Sequence, residues 1–191
     1  THTPHSSFEK RQKHSFVFSS SCEGTNEMWG VGFCYHNRME QYRKNYKQIS
    51  SNLITMEINM HGNPLIIAST YIPHEAVHHK YQDIRLQAWQ QLHDLLAETT
   101  IAKNIIIAGD LNTSLHNRRP EEEGFLGPHI FGKGKFFLQQ NHMRMPADKS
   151  DNREMFMDLI RGHNLKAMST FFDKPSALKA TAMAVIVGGF F

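Results

Sequence analysis

Asp110 and Asn112 stand two residues apart in the stretch Lys103-Asn104-Ile105-Ile106-Ile107-Ala108-Gly109-Asp110-Leu111-Asn112-Thr113. In an extended chain, side chains at that spacing point to the same side. An ionised carboxylate can orient or deprotonate an attacking water. An amide can hydrogen-bond an anionic group, or lend an oxygen to a metal, without adding negative charge. The competing reading is a plain turn after a strand, because Gly, Asp and Asn are turn formers. Tyr71, in Ala68-Ser69-Thr70-Tyr71-Ile72-Pro73, closes another apolar stretch. There it reads as a strand-end aromatic that packs the core, with Pro73 stopping the sheet.

The elements that would carry these groups follow from spacing. Ile105, Ile106, Ile107 and Ala108 form an unbroken apolar run of strand length, as in a strand covered on both faces. On that reading Ile106→Ala leaves a core cavity and costs about 2–4 kcal/mol. Asn52 to Met60 alternates, with Ile54, Met56, Ile58 and Met60 on one side and Thr55, Glu57 and Asn59 on the other. His61-Gly62-Asn63-Pro64 reads as a turn and 65–71 as the returning strand, an antiparallel hairpin. Residues 80–99 have helical spacing, with Tyr81, Ile84, Ala88, Leu92, Leu95 and Leu96 as the apolar stripe.

Upstream, residues 1–13 are polar and read as loop, and 15–19 and 29–35 read as strands. Downstream, 113–150 reads mostly as loop. Asp151 and Glu154 have capping-box spacing before a helix that Gly162 ends. Residues 165–171 read as a strand, and 180–191 are small and apolar. Strands in hairpins, plus two helices that each feed a strand, predict an α/β (α+β) layered fold with a mixed sheet.

Composition sets bounds. A hydrophobic fraction of 40% over 191 residues fits one globular domain, here taken as 1–191. The net charge of +3 permits a polyanionic partner without demanding one. Arg43, Lys44 and Lys47 alternate with Tyr42 and Tyr46, a pattern that can grip a nucleic-acid backbone or form a solvated edge strand. No apolar run reaches the length of a membrane-spanning helix, about 18 residues. Of the 13 histidines, only His2/His5 and His74/His78/His79 cluster, and neither group has a cysteine at zinc-finger spacing. Cys22 and Cys34 make no disulfide framework, so a reducing, intracellular setting is expected.

Five motifs in order resemble the endonuclease/exonuclease/phosphatase superfamily, and within it the endonuclease domains of LINE-type retrotransposons and their cellular relatives. They are Gly30-Val31-Gly32-Phe33, Ala68 to Pro73, Ile107 to Asn112, Gly127-Pro128-His129-Ile130-Phe131-Gly132, and Asn152 to Phe172 with its Ser169-Thr170-Phe171-Phe172. The match spans roughly residues 15–172. The resemblance implies a four-layer sandwich of two mixed β-sheets flanked by helices. It also implies hydrolysis of phosphodiester or phosphomonoester bonds with Mg²⁺, or Mn²⁺ in its place. Tyr71, Asp110 and Asn112 would be catalytic, Asp110 and Asn112 metal ligands, and DNA the partner of a monomeric protein. A nuclear location would follow from a retroelement origin.

The chain also departs from the pattern. The superfamily's metal-binding Glu, its first strand and its C-terminal Ser-Asp-His find no counterpart in these residues. Ala180-Thr181-Ala182-Met183 stands where a Thr-Trp-Arg is expected. The resemblance therefore reads the domain as truncated at both ends, with the metal weakly bound and activity impaired. His116 is the histidine nearest Asp110 that could substitute as base. Two alternatives stand beside the nuclease: a non-catalytic retroelement remnant that binds nucleic acid weakly, and a phosphatase or sphingomyelinase of the same superfamily.

Overall fold

The computed structural model describes residues 5–20, 30–74, 81–99, 104–113, 115, 118–130, 151–173 and 183–188. Two sheets form. The smaller is antiparallel, in the order β1 (His5–Arg11), β2 (His14–Ser20), β3 (Gly30–His36). The larger has β4 (Arg43–Ser50), β5 (Leu53–Met60), β6 (Asn63–Tyr71), β7 (Asn104–Asp110), β8 (Lys166–Ala167) and β9 (Met183–Gly188) in the order β4-β5-β6-β7-β9-β8. Only β6 and β7 run parallel, joined through helix α1 (Gln82–Glu98); every other pairing is antiparallel. Among the described residues, the α-helix after β7 is α2 (Asp151–Gly162).

The layers follow from alternation along the strands. Leu53, Ala68, Ile105 and Ile107 share one face of the large sheet and bury against Ala88, Trp89, Leu92, Leu95 and Leu96 of α1 and Phe156, Met157, Leu159 and Ile160 of α2. The opposite face carries Ile54, Met56 and Ile58, all buried, and β2 and β3 pack over β5 and β6 on that side. The result is an α+β fold of two stacked sheets with both described helices on the larger one, the mixed-sheet class that the spacing predicts.

Local chemistry fixes the turns. Met60 pairs with Asn63, so β5 and β6 are joined by His61-Gly62 alone, with φ of 54° and 85°. Two left-handed residues in a two-residue loop make a type I′ turn, whose twist matches the strands. The Asn59 side chain accepts from the Gly62 N–H at 2.9 Å and holds it. Helix α2 ends in a Schellman arrangement: Asn164 is left-handed at φ 50°, its N–H donates to the Arg161 carbonyl, and that of Leu165 to Ile160.

Several expectations need correction. Residues 5–11 are a strand, not loop: every one pairs with β2, and ladder hydrogen bonds at a sheet edge do not require an apolar sequence. Asp151 is the first residue of α2 and not the residue before it, and its carboxylate lies 3.5 Å from Arg85. The helix does end at Gly162, as expected, but the left-handed residue that turns the chain out of it is Asn164. Residues 165–171 give only a two-residue strand and then a 3-10 turn at Met168–Thr170. The Thr170 hydroxyl donates back to the Ala167 carbonyl at 2.6 Å and breaks the extension. The buried stripe of α1 includes Arg85 and Trp89, while Tyr81 and Ile84 are half-buried.

Strand β7 is also less symmetric than an unbroken apolar run implies. Ile105 and Ile107 are buried under the helices, whereas Ile106 and Ala108 are half-buried. The large cost therefore moves one residue along. Ile107→Ala should lose about 3 kcal/mol, because a fully enclosed side chain leaves a cavity. Asp110→Ala should lose about 1 kcal/mol, since its site is a half-buried strand end. Urea unfolding of both variants checks the order, and a reversed order would make Asp110 a structural residue.

Candidate active site

The parallel ladder between β6 and β7 sets the site. Its register pairs Tyr71 with Asp110 directly, at the ends of both strands. Paired residues project from the same face of a sheet, and neighbouring strands lie about 4.8 Å apart. The Ile72 N–H donates to the Asp110 carbonyl at 2.8 Å and carries the ladder one step further. Gly109 is required here by space: a Cβ at that position would collide with the Thr70 carbonyl oxygen on the neighbouring strand.

Asn112 does not continue the strand. It adopts φ 44°, a left-handed conformation that Asn tolerates better than most residues. Its N–H donates to Oδ1 of Asp110 at 3.0 Å, and its Nδ2 donates to the Ile72 carbonyl at 2.8 Å. The same-side alignment expected from an extended chain is thus replaced by an Asx turn. The turn reading therefore holds: the amide ties the end of β7 to the end of β6, and the turn N–H orients the Asp110 carboxylate.

Behind these ends lies a shell that spacing did not reveal. Asn152, fully buried on α2, makes four hydrogen bonds. Its Nδ2 donates to the carbonyls of Pro73 at 3.1 Å and Asn112 at 3.2 Å. Its Oδ1 accepts from Arg85 Nη1 at 3.0 Å and Trp89 Nε1 at 3.1 Å. Both donors and both acceptor positions of the amide are thereby used. Asn52, buried just before β5, takes the other side: its Nδ2 donates to the Tyr71 carbonyl at 3.0 Å, and its carbonyl accepts from the Tyr71 N–H at 2.9 Å. A buried Asn is a weak signal in a sequence. Asn152, at the head of the apolar spacing of α2, and Asn52, at the start of an alternating strand, are visible only as polar residues where a core is forming.

The loop after β7 is anchored by charge. Glu122 is fully buried and accepts from Arg153 Nη2 at 2.9 and 2.8 Å and from the Arg119 N–H at 2.8 Å. Arg161 Nη2 approaches it at 3.8 Å. The Gly127-Pro128-His129 segment docks on Thr170, whose hydroxyl accepts from the Gly127 N–H at 2.7 Å and whose carbonyl accepts from the His129 N–H at 2.9 Å. At Gly127 too, a Cβ would strike the Thr170 backbone. So the two motifs at 127–132 and 169–172 are partners across the fold in their described parts.

Arg43, Lys44 and Lys47 all lie on the edge strand β4, not at the strand ends that carry Asp110. Through Ile58 and Leu65, Arg43 shares a row with Asn104, six residues from Asp110 and roughly 20 Å along the sheet. Its guanidinium is held by Glu40 at 2.6 Å and sits over the rings of Phe8 and Tyr46. That ion pair, the largest influence on it, raises its pKa further. Lys44 is exposed, and Lys47 lies 3.8 Å from Glu98. His116 lies outside the described residues.

Asp110 and Asn112 do not by themselves fit Mg²⁺, which asks for near-octahedral oxygen coordination. One Asp110 oxygen already accepts from a backbone N–H, and the Asn112 amide nitrogen is committed to Ile72. Among the described residues, no three of His, Cys, Asp or Glu gather in one place. What the arrangement offers is a carboxylate held rigidly beside a tyrosine at open strand ends. No helix among the described residues is long and apolar enough to cross a membrane.

No protein-family model and no curated protein matches the chain. Solved structures do match. An AP endonuclease from Archaeoglobus fulgidus aligns with a TM-score of 0.51 at 15% identity, over 92% of this chain and 66% of that one. A humanized D. rerio TDP2 carrying 14 mutations aligns with a TM-score of 0.42 at 11% identity, over 90% of this chain and 58% of that one. The chain thus spans less than two thirds of either structure. At such identity the likeness to the AP endonuclease is one of fold.

Proposed function

We propose that this chain is a domain of the endonuclease/exonuclease/phosphatase superfamily, nearest the LINE-type endonucleases, and that it supplies part of a site for phosphodiester hydrolysis in DNA. The observation that carries the reading is the pairing of Tyr71 with Asp110 at the ends of β6 and β7, in a fold shared with an AP endonuclease. The Asp110 carboxylate, fixed by the Asn112 N–H, accepts a hydrogen bond from water and aims it. Tyr71 donates its hydroxyl to a phosphate oxygen. Asn112 keeps both strand ends in register, so its part is positioning. The resemblance points to Mg²⁺ or Mn²⁺ as cofactor, but the donors at Asp110 and Asn112 are too few to hold it, so no step is routed through an ion here.

On this reading the 191-residue polypeptide, by itself, is impaired. Residues that act as a unit lose most of their rate when one is removed. Plasmid nicking with Mg²⁺ or Mn²⁺ is expected to stay at the level of an Asp110→Ala control. Nicking that the control abolishes would mean that the site in this polypeptide is complete. Fluorescence anisotropy with duplex DNA tests the partner independently: salt-sensitive binding supports DNA as ligand, and its absence at low salt removes it.

A further inference from the structure

Away from the strand ends, on the helical side of the large sheet, two imidazoles meet. His93 is on α1 and His163 directly follows α2. Nδ1 of His93 lies 3.2 Å from Nε2 of His163, with ring centroids 5.3 Å apart and planes at 50°. Both rings are half-buried, so each keeps an open side toward water. Burial first, and then the charge of His93, lowers the His163 pKa below its ordinary value. Neutral imidazole is the form that binds metal.

The spacing is informative. Two nitrogen ligands of a tetrahedral zinc ion, each about 2.05 Å from it, stand about 3.3–3.4 Å from one another. The two histidines are held near that separation by helices that share one core through Leu92, Leu96, Leu159 and Ile160. We propose that His93 and His163 form a two-imidazole site for a borderline divalent ion, zinc first, that fastens the middle of α1 to the end of α2. In the bound form both facing nitrogens present lone pairs. The ring protons then sit on Nε2 of His93 and Nδ1 of His163, and the N–H···N contact is exchanged for two metal bonds. Waters complete the shell on the open side. Magnesium, which takes oxygen ligands, does not serve.

The test is thermal unfolding of the 191-residue chain with ZnCl₂, MgCl₂ or chelator. At zinc about tenfold above its dissociation constant, Tm should rise by about 4 °C. Magnesium should leave Tm where the chelator does, and His93→Gln and His163→Gln should each lose the rise. No rise in the parent chain, or an equal rise in both variants, overturns the proposal, because the ion would then sit elsewhere among the histidines. Should a variant fail to fold, the parent chain still decides. Zinc should protect His93 and His163 from diethyl pyrocarbonate, mapped by mass spectrometry. Modification of both at an unchanged rate rejects the site.

Discussion

Asn152→Ala is expected to unfold this protein more readily by about 4 kcal/mol, the largest cost of any single amide among the described residues. The magnitude follows from what is left behind. Arg85 Nη1 and Trp89 Nε1 lose the Asn152 oxygen, and the carbonyls of Pro73 and half-buried Asn112 lose the Asn152 donor, around a side chain that is itself fully buried. Each stranded group costs on the order of 1–3 kcal/mol, reduced where a neighbour or water can shift in. Volume is not the issue, so Asn152→Leu, which fills the space, should be no better than the alanine variant. Denaturant unfolding measures both. A loss under about 1 kcal/mol for Asn152→Ala would mean that water replaces the amide and that the position is not a keystone. The same substitution should broaden the amide resonances of Leu111 to Thr113, because the Asn112 carbonyl is one of the groups released.

Removal of Glu122 should be nearly as costly. Glu122→Leu takes from Arg153, only 4% exposed along its side chain, its 2.8 and 2.9 Å carboxylate contacts and leaves it Glu154 at 3.8 Å, and about 4 kcal/mol of stability should go with the change. Arg153→Met, which leaves the carboxylate only the Arg119 N–H and the more distant Arg161, should cost somewhat less. The informative variant is the double one. With both charges replaced by apolar groups, desolvation of the pair is no longer needed, and the double variant should recover most of the loss. An additive double loss would mean that the two side chains act independently. The pair's value would then lie in the Arg119 N–H and Arg161 contacts to Glu122.

Much of the framework was legible because the sheet's chemistry is local. The alternation at 52–60, the turn expected at 61–64 and the run at 105–108 each specify an element without reference to the rest of the chain, and all three form, the turn narrowed to His61-Gly62 because Asn63 and Pro64 open β6. The helical stripe at 82–98 holds as well, though Trp89 and Arg85 enter it for a reason no periodicity carries: Asn152 waits for their donors from another helix. Residues 5–11 were illegible because an edge strand is satisfied by its backbone ladder. The strand expected at 165–171 failed because Thr170 turns its hydroxyl back on the chain.

At the candidate site, residue types offered Asp110 and Asn112, the resemblance added Tyr71, and only the parallel register makes Tyr71 and Asp110 neighbours. Asn112 was legible as a functional type, but its job depends on a left-handed backbone that pulls it out of line with Asp110. The positioning residues Asn52 and Asn152 act through contacts of long sequence separation, which spacing within a segment cannot encode.

Strand β9 sets a condition on how the chain is made. Met183 pairs with Asp110 and Gly188 with Ile105, so the second side of β7 is closed by residues about 80 positions further along. A ribosome would release β6, α1 and β7 well before β9. In that interval β7 presents an unpaired, isoleucine-rich edge beside the future site, the kind of surface that recruits other chains. Synthesis of this fold thus passes through a stage in which aggregation competes with the arrival of 183–188. The yield of soluble protein should depend on translation speed and temperature more steeply than its final stability would indicate.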